Sequence, residues 1–317
     1  MKLLKCFALM LTAGFSSVAA AQYPDKPIRI VVPFAAAGVA DILARIVAQK
    51  IGEQSGKTIV VENRTGAGGR IGYEAGAKSP ADGYTLVATD VTYTMMPALY
   101  NSLGWEHSDL APVSMIAQMP FVVAVNANAK TTSMAELLAA AKANPNKINY
   151  GSSGIGSVNH IVTELFTRTA NIELTHVPYR GMGEAMAGLL GGSIDIVITA
   201  MPTAMNHIKS GKVVALSVTA PRRAGPLPNV PTTTETGVAF AASNWIGFTT
   251  PKGGPREAID WVQKQVSTAI SVADVRDRIG ATGADAQVMT TEAFGKLMQD
   301  ETRRWGEVIR AAKIKAE

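Results

Sequence analysis

One cysteine stands in the 317-residue sequence, Cys6, and it lies in the opening segment MKLLKCFALMLTAGFSSVAAA. That segment has a short basic start, an apolar run and Ala19-Ala20-Ala21 before Gln22. The pattern is that of a secretory signal peptide over residues 1–21, with an apolar run too short for a membrane anchor. A product beginning at Gln22 would hold no thiol, which excludes disulfides, a cysteine nucleophile and thiolate-bound metal. No further run of about 18 apolar residues follows, so an exported, soluble product is expected.

Chemistry-bearing patterns are scarce too. The four histidines, His107, His160, His176 and His207, show no HExxH or other metal-ligand spacing. The serines form no G-x-S-x-G elbow. A net charge of +5 falls to +3 once Lys2 and Lys5 leave with the signal, and no Lys/Arg run with interleaved aromatics suggests nucleic acid. Such a mildly basic surface attracts small anions. Metal, cofactor, nucleic acid and catalysis are therefore not expected. A secreted hydrolase with a Ser or His mechanism stays open as a rival, to be judged by turnover.

What is present is an alternation of strands and helices, the signature of an α/β protein with mostly parallel sheets. IRIVVPF (28–34), TIVVEN (58–63) and YTLVAT (84–89) read as strands; DILARIVAQKIGEQ (41–54) carries apolar residues at helical spacing. LAPVSMIAQMPFVVAVN (110–126) passes through a proline break, and MAELLAAAKANP (134–145) is a helix stopped by Asn-Pro. Two stretches, MPFVVAVNANA (119–129) and ASNWIGFTTPKGG (242–254), read as crossings between lobes. They divide the chain into residues 22–121 with 247–317 as lobe 1 and residues 122–246 as lobe 2, with two crossover strands as hinge.

Two strand–loop–helix units stand out. In NYGSSGIGSVNH (149–160), Ser152, Ser153, Gly154, Gly156 and Ser157 lie between a strand and a helix. Glycine allows close backbone approach and serine is a strong N-cap, so the unit would present bare amide N–H groups and a positive dipole end. VVPFAAAGVADILAR (31–45) repeats the arrangement with Phe34, Ala36, Ala37, Gly38, Val39 and Ala40, and Asp41 is placed to shape its loop. The glycine-rich stretches are not nucleotide motifs: GIGSVN (154–159) has Asn159 where a dinucleotide site wants Gly or Ala, and GAGGRIG (66–72), a separate helix entry, lacks the Lys-Ser/Thr of a P-loop. Both strand–loop–helix units are anion cradles, and two of them from different lobes would pinch a carboxylate.

Taken together, VVPFAAAGVAD, VENRTGAGGRIG, NYGSSGIGSVNH, HVPYRGMGEAMAGLLGGSID, PNVPTTTETGV and NWIGFTTPKGGP resemble the Bug receptors, the solute-binding components of tripartite tricarboxylate transporters. The resemblance covers essentially all of the chain after residue 21. It implies a periplasmic, two-lobed binding protein of the type II, Venus-flytrap kind, each lobe a mostly parallel sheet flanked by helices. It also implies no enzymatic activity, no cofactor, and delivery of a small carboxylate to permease subunits in the membrane. The carboxylate could be an amino acid, an aromatic acid or a dicarboxylic acid. A ligand-binding sensor for a two-component system is the alternative that sequence does not separate.

The resemblance places Phe34 to Ala40 on one jaw and Ser152 to Ser157 on the other. Departures concern the remaining walls. Ala37-Gly38 stands where the family usually has Gly-Gly; Asp90, followed by Thr92 and Tyr93, stands where Ser or Thr is common; Thr199-Ala200 stands where an Asp pair member is frequent. Asp90 either meets a cationic or hydrogen-bond-donating group of the ligand or caps a helix. Tyr179 and Arg180 are expected to border the cleft, Trp245 to serve as hinge packing or pocket wall, and Met201 and Thr203 to open a loop at the distal pocket.

Overall fold

The computed structural model describes residues 23–316; the signal-peptide expectation for residues 1–21 lies outside the described residues. The chain begins with β1 (Ile28–Val32), whose almost wholly buried IRIVV suits a central parallel strand. Helix α1 (Val39–Ser55) lays Leu43, Val47 and Ile51 against it and stops at Gly56, whose φ of 67° needs no side chain. Strand β2 (Ile59–Asn63), helix α2 (Arg70–Ala77), strand β3 (Thr85–Asp90) and helix α3 (Val91–Leu99) follow. β1 pairs in parallel with both β2 and β3.

Strand β4 (Leu110–Asn126) is the pivot of the architecture. Beyond it come α4 (Met134–Ala143), β5 (Asn149–Ser152), α5 (Val158–Ala170), β6 (Thr175–Pro178), α6 (Met182–Leu190), β7 (Ile196–Ala200), α7 (Met201–Lys209) and β8 (Val213–Val218). The chain closes with β9 (Ser243–Pro251), α8 (Arg256–Ser271), α9 (Ala273–Ala281), β10 (Asp285–Ala286) and α10 (Thr291–Ala312). Eight strands run in the order β2-β1-β3-β9-β4-β7-β5-β6, with β8 and β10 also on β4.

The proline break expected inside 110–126 interrupts no strand. From Leu110 to Pro120 β4 pairs antiparallel with β9, with register shifts beside Pro112 and Met115; from Phe121 to Asn126 it pairs with β7 and β8. Proline is tolerated at such irregularities because the missing N–H falls where the ladder is already broken. One strand thus serves both lobes. The second crossing expected at 242–254 lies earlier: β9 pairs with β3 and β4 from Ser243 onward, and Thr219 accepts the Phe121 N–H and donates to the Ala242 carbonyl. Trp245 is hinge packing, 1% exposed with its ring edge-on to Phe294 at 5.2 Å.

Helix α10 buries Phe294, Met298, Trp305 and Ile309 in a core that also takes side chains from α3, β4 and α5. Glycine matters most at Gly72 in α2, where a Cβ would stand 2.6 Å from both the Arg64 carbonyl oxygen and the Pro33 Cα. Both are backbone atoms, one just past the end of β2 and one at the root of the 34–40 loop, so neither yields cheaply. Gly72→Ala is expected to cost about 1–3 kcal/mol of overpacking strain, read as a lowered urea midpoint with an unchanged slope.

Candidate functional site

The starts of α1, α5, α6 and α7 and the N-cap of α3 converge on one cavity of about 160 Å³ between the lobes. From the first lobe come Phe34, Val39, Ala40 and Asp90, with Asn244 and Ile246 of β9. From the second come Val158, Asn159, Met182, Thr199, Ala200 and Thr203, and Phe121 of β4 closes the floor. Among the described residues, no Lys, Arg or His lines it.

Charge in this cavity is instead set by backbone. α1, α6 and α7 have no side chain capping their first amides. The N–H groups of Val39, Ala40, Val158, Asn159 and Met182 have no acceptor among the described residues. Each helix start carries a partial positive charge, worth roughly 0.3–1 kcal/mol to an anion at an exposed end and up to about 2 when partly buried. Several aimed at one space make an anion site without a fixed cation.

The first loop is held by the buried Asp41. Its Oδ2 accepts from the Ala37 N–H at 2.9 Å, and its Oδ1 accepts from Arg45 Nε and Asn63 Nδ2, each at 2.9 Å. Burial alone would raise its pKa, but Arg45, the Ala37 amide and Asn63 outweigh it and hold Asp41 below the usual range. Those contacts keep Ala37 at a φ of 62°, a left-handed conformation that costs a methyl-bearing residue about 1–2 kcal/mol. Asp41 therefore shapes the loop rather than lining the cavity.

Of the two roles expected for Asp90, the structure shows the helix cap. It caps α3, accepting from the Thr92 N–H at 3.0 Å and the Thr92 hydroxyl at 3.2 Å, and it lines the cavity. The Tyr73 hydroxyl donates to Oδ1 at 2.9 Å. Only 6% exposed, Asp90 has its pKa pushed up to about 6 by burial, against the pull of these donors.

The second jaw differs from expectation in its wall. Val158 and Asn159, the first turn of α5, line the cavity, whereas the loop 152–157 buttresses them. Ser152 is fully buried, its Oγ 2.6 Å from His176 Nε2. Ser153 Oγ donates to Asn159 Oδ1 at 3.1 Å, and Asn159 Nδ2 donates to the Ile198 carbonyl at 2.9 Å. Ser157 caps α5, Gly154 and Gly156 supply positive φ, and the Gly156 N–H donates to His160 Nδ1 at 3.1 Å. The rings of His160 and His176 stack at 4.0 Å. Ser152 and His176 are a Ser–His pair, but with Oγ sealed from the cavity they form no nucleophile there.

Of the other expected residues, Thr203 lines the cavity from the first turn of α7, not from a loop, whereas Met201 is buried with Ala204 and Met205 in the second lobe's core. Tyr179 lies against Gly151 and Gly188, and Arg180 is exposed with its N–H donating to Glu184. Ala36 is exposed at the loop tip, while Ala37 and Gly38 line an adjoining space of about 390 Å³. Asn159, Asn244 and Met182 were not anticipated. The signal available was an asparagine set in an apolar run, in SVNHIV and ASNWIGF.

Two lobes sharing β4, with a cavity at their junction, make the architecture of the periplasmic binding proteins, and comparison with known proteins agrees. Residues 43–314 match the tripartite tricarboxylate transporter family receptor, and the chain belongs to that family. It is 36% identical to Protein BugT of Bordetella pertussis over 96% of this chain and 95% of that one. The periplasmic binding protein BugD superposes with a TM-score of 0.80 at 30% identity, over 92% of this chain and 99% of that one. R. palustris Rpa4515, a structure with adipate, gives 0.84 at 30% identity, over 92% and 99%.

Proposed function

We propose that this protein captures a small organic carboxylate between its lobes in the periplasm and delivers it, unaltered, to the permease subunits of a tripartite tricarboxylate transporter. The observation that carries the reading is the convergence of bare helix-start amides on a cavity with no cationic side chain. Binding through Val39, Ala40, Val158 and Asn159 N–H groups, with the Thr199 hydroxyl beside them, offers donors to a carboxylate and no reactive group to transform it. The loop residues Phe34 to Gly38 and Ser152 to Ser157 hold these donors in place. The partner and the class of ligand rest on the family's description and on the adipate held by a relative.

Lobe 1 is taken as residues 22–121 with 247–317, and lobe 2 as 122–246. The change of β4 partners at Pro120 supports the first boundary, while the pairing of β9 favours a return crossing before residue 243. Ligand closes the lobes about these crossings, and the closed form is what the permease meets.

Asp90 is assigned to a donor on the ligand beside its carboxylate, an ammonium or a hydroxyl. A carboxylate pushed up to about 6 weakens the fold as pH rises from the ordinary carboxylate range through 6, because the folded form prefers its proton. Asn in its place keeps the cap and loses that slope. Calorimetry at pH 8 on Asp90→Asn should show about tenfold weaker binding of glutamine and unchanged or tighter binding of hexanoate, which has no such donor. Equal glutamine affinity in the two proteins would remove the assignment. Ligand-induced thermal stabilisation without product formation separates this reading from a hydrolase.

A further inference from the structure

We infer that Met182 decides how large an acid this receptor takes: its side chain fills the space beyond the carboxylate and turns aside for a longer tail. The inference rests on the carboxylate reading above and narrows its substrate class to acids whose tail is apolar where it meets that side chain.

The inner cavity is small. At about 160 Å³ it falls short of the roughly 300–1,000 Å³ of pockets that take drug-sized molecules, so anything beyond a short acid needs a wall that gives. Most of its walls are set. Asp90, Asn159 and Asn244 are each fixed by two or more hydrogen bonds. Phe121, Thr199 and Ile246 are no more than 1% exposed, and the Phe34 ring stands edge-on to Tyr73 at 6.3 Å. What remains, apart from Met182, is valine, alanine or threonine, with little side chain to move.

Met182 differs in each respect. It opens α6, half-buried, and packs against the second-lobe core that holds Met186, Met201 and Met205. Methionine is unbranched, with three rotatable bonds and a polarizable sulfur, so it refills irregular space readily. Room for such movement lies on both flanks: a Cβ built on Gly181 or Gly183 would meet nothing within 4 Å. The first turn of α6 also has no side-chain cap to pin it. One adaptable apolar group therefore faces an otherwise rigid chamber. A short acid leaves Met182 turned inward, where it fills the chamber; a longer tail displaces it and takes over its apolar contacts.

Acids differing only in tail length test this, with butanoate and octanoate titrated by calorimetry into the full processed chain. Met182→Ala should raise the affinity of octanoate relative to butanoate at least tenfold. Met182→Phe, which puts a stiff ring in the same place, should lower that ratio at least tenfold. Anything else, including the parallel shift of both acids that a merely structural role requires, overturns the assignment. Where Met182→Ala does not fold, the fall with Met182→Phe decides alone. Hexanamide binding as tightly as hexanoate overturns the carboxylate reading and not the assignment of Met182, which the ratio alone decides. Failure of every acid to bind counts against both.

Discussion

Asn244→Asp is expected to reduce carboxylate affinity by about 30- to 200-fold at pH 8 while leaving the fold intact. Asn244 is 8% exposed, and its Oδ1 accepts from the Trp245 N–H at 2.9 Å and the Val91 N–H at 3.4 Å. Aspartate is nearly isosteric and keeps that accepting oxygen, so the turn into β9 has no reason to move. Only the amide nitrogen changes, from a donor at the wall of the inner cavity to a second anionic oxygen. Like charges in a desolvated space commonly cost several kcal/mol, and about 2–3 kcal/mol corresponds to the stated fold-change. Calorimetry with hexanoate reads it directly. As Asp90 lines the same cavity, the two carboxyls would share a proton, and affinity should recover as pH falls toward 5. An Asp variant that binds hexanoate normally at pH 8 would leave the anion cavity without support.

Acid should loosen this protein through its histidines. Burial lowers His107, His160 and His176 each to about 4, with the His160 ring a further cause for its stacked neighbour His176. A histidine whose folded pKa is depressed stays neutral while the unfolded chain takes up protons. Stability is therefore full above about pH 6.5 and is lost as pH falls from there toward 4. For His160, 8% exposed, the span corresponds to about 3 kcal/mol. Urea midpoints measured from pH 7.5 to 4.5 should fall steeply, and His160→Asn should remove a share of the slope. The sign is opposite to that of Asp90, whose contribution improves over the same interval. A midpoint flat to pH 4.5 would contradict the burial of all three rings. Ligand affinity of the folded protein should hold through that window and fail only near pH 4, where a protonated His160 can no longer accept the Gly156 N–H that steadies the start of α5.

Much of this was legible because glycine, serine and alanine before an amphipathic run leave few conformations open. Phe34, Val39 and Ala40 were read from VVPFAAAGVAD, and the helix starts from their caps. The α/β alternation likewise followed from strand and helix periods. What sequence did not reveal is which side of a glycine-rich loop faces the ligand. The sequence pattern makes the loop 152–157 the wall, but Ser152 is claimed by His176 and Ser153 by Asn159, two contacts made across 24 and 6 residues. Met201 misled for a simpler reason: a residue at the end of β7 and the start of α7 follows the helix period inward, into the core. Asn244 interrupts an apolar run, which marks it as unusual, but only the pairing of β9 next to β3 brings it beside Asp90.

The 17 residues of β4 carry a consequence for how solute gets in and out. A single backbone stitched to β9 along its first part and to β7 and β8 along its last cannot translate in either ladder without turning Phe121 and Val123 inside out. In the proposed capture cycle the halves would therefore swing like a door on its pin and not slide. Admission and release become questions of angle, and the ratchet that some sliding receptors use is closed to this one.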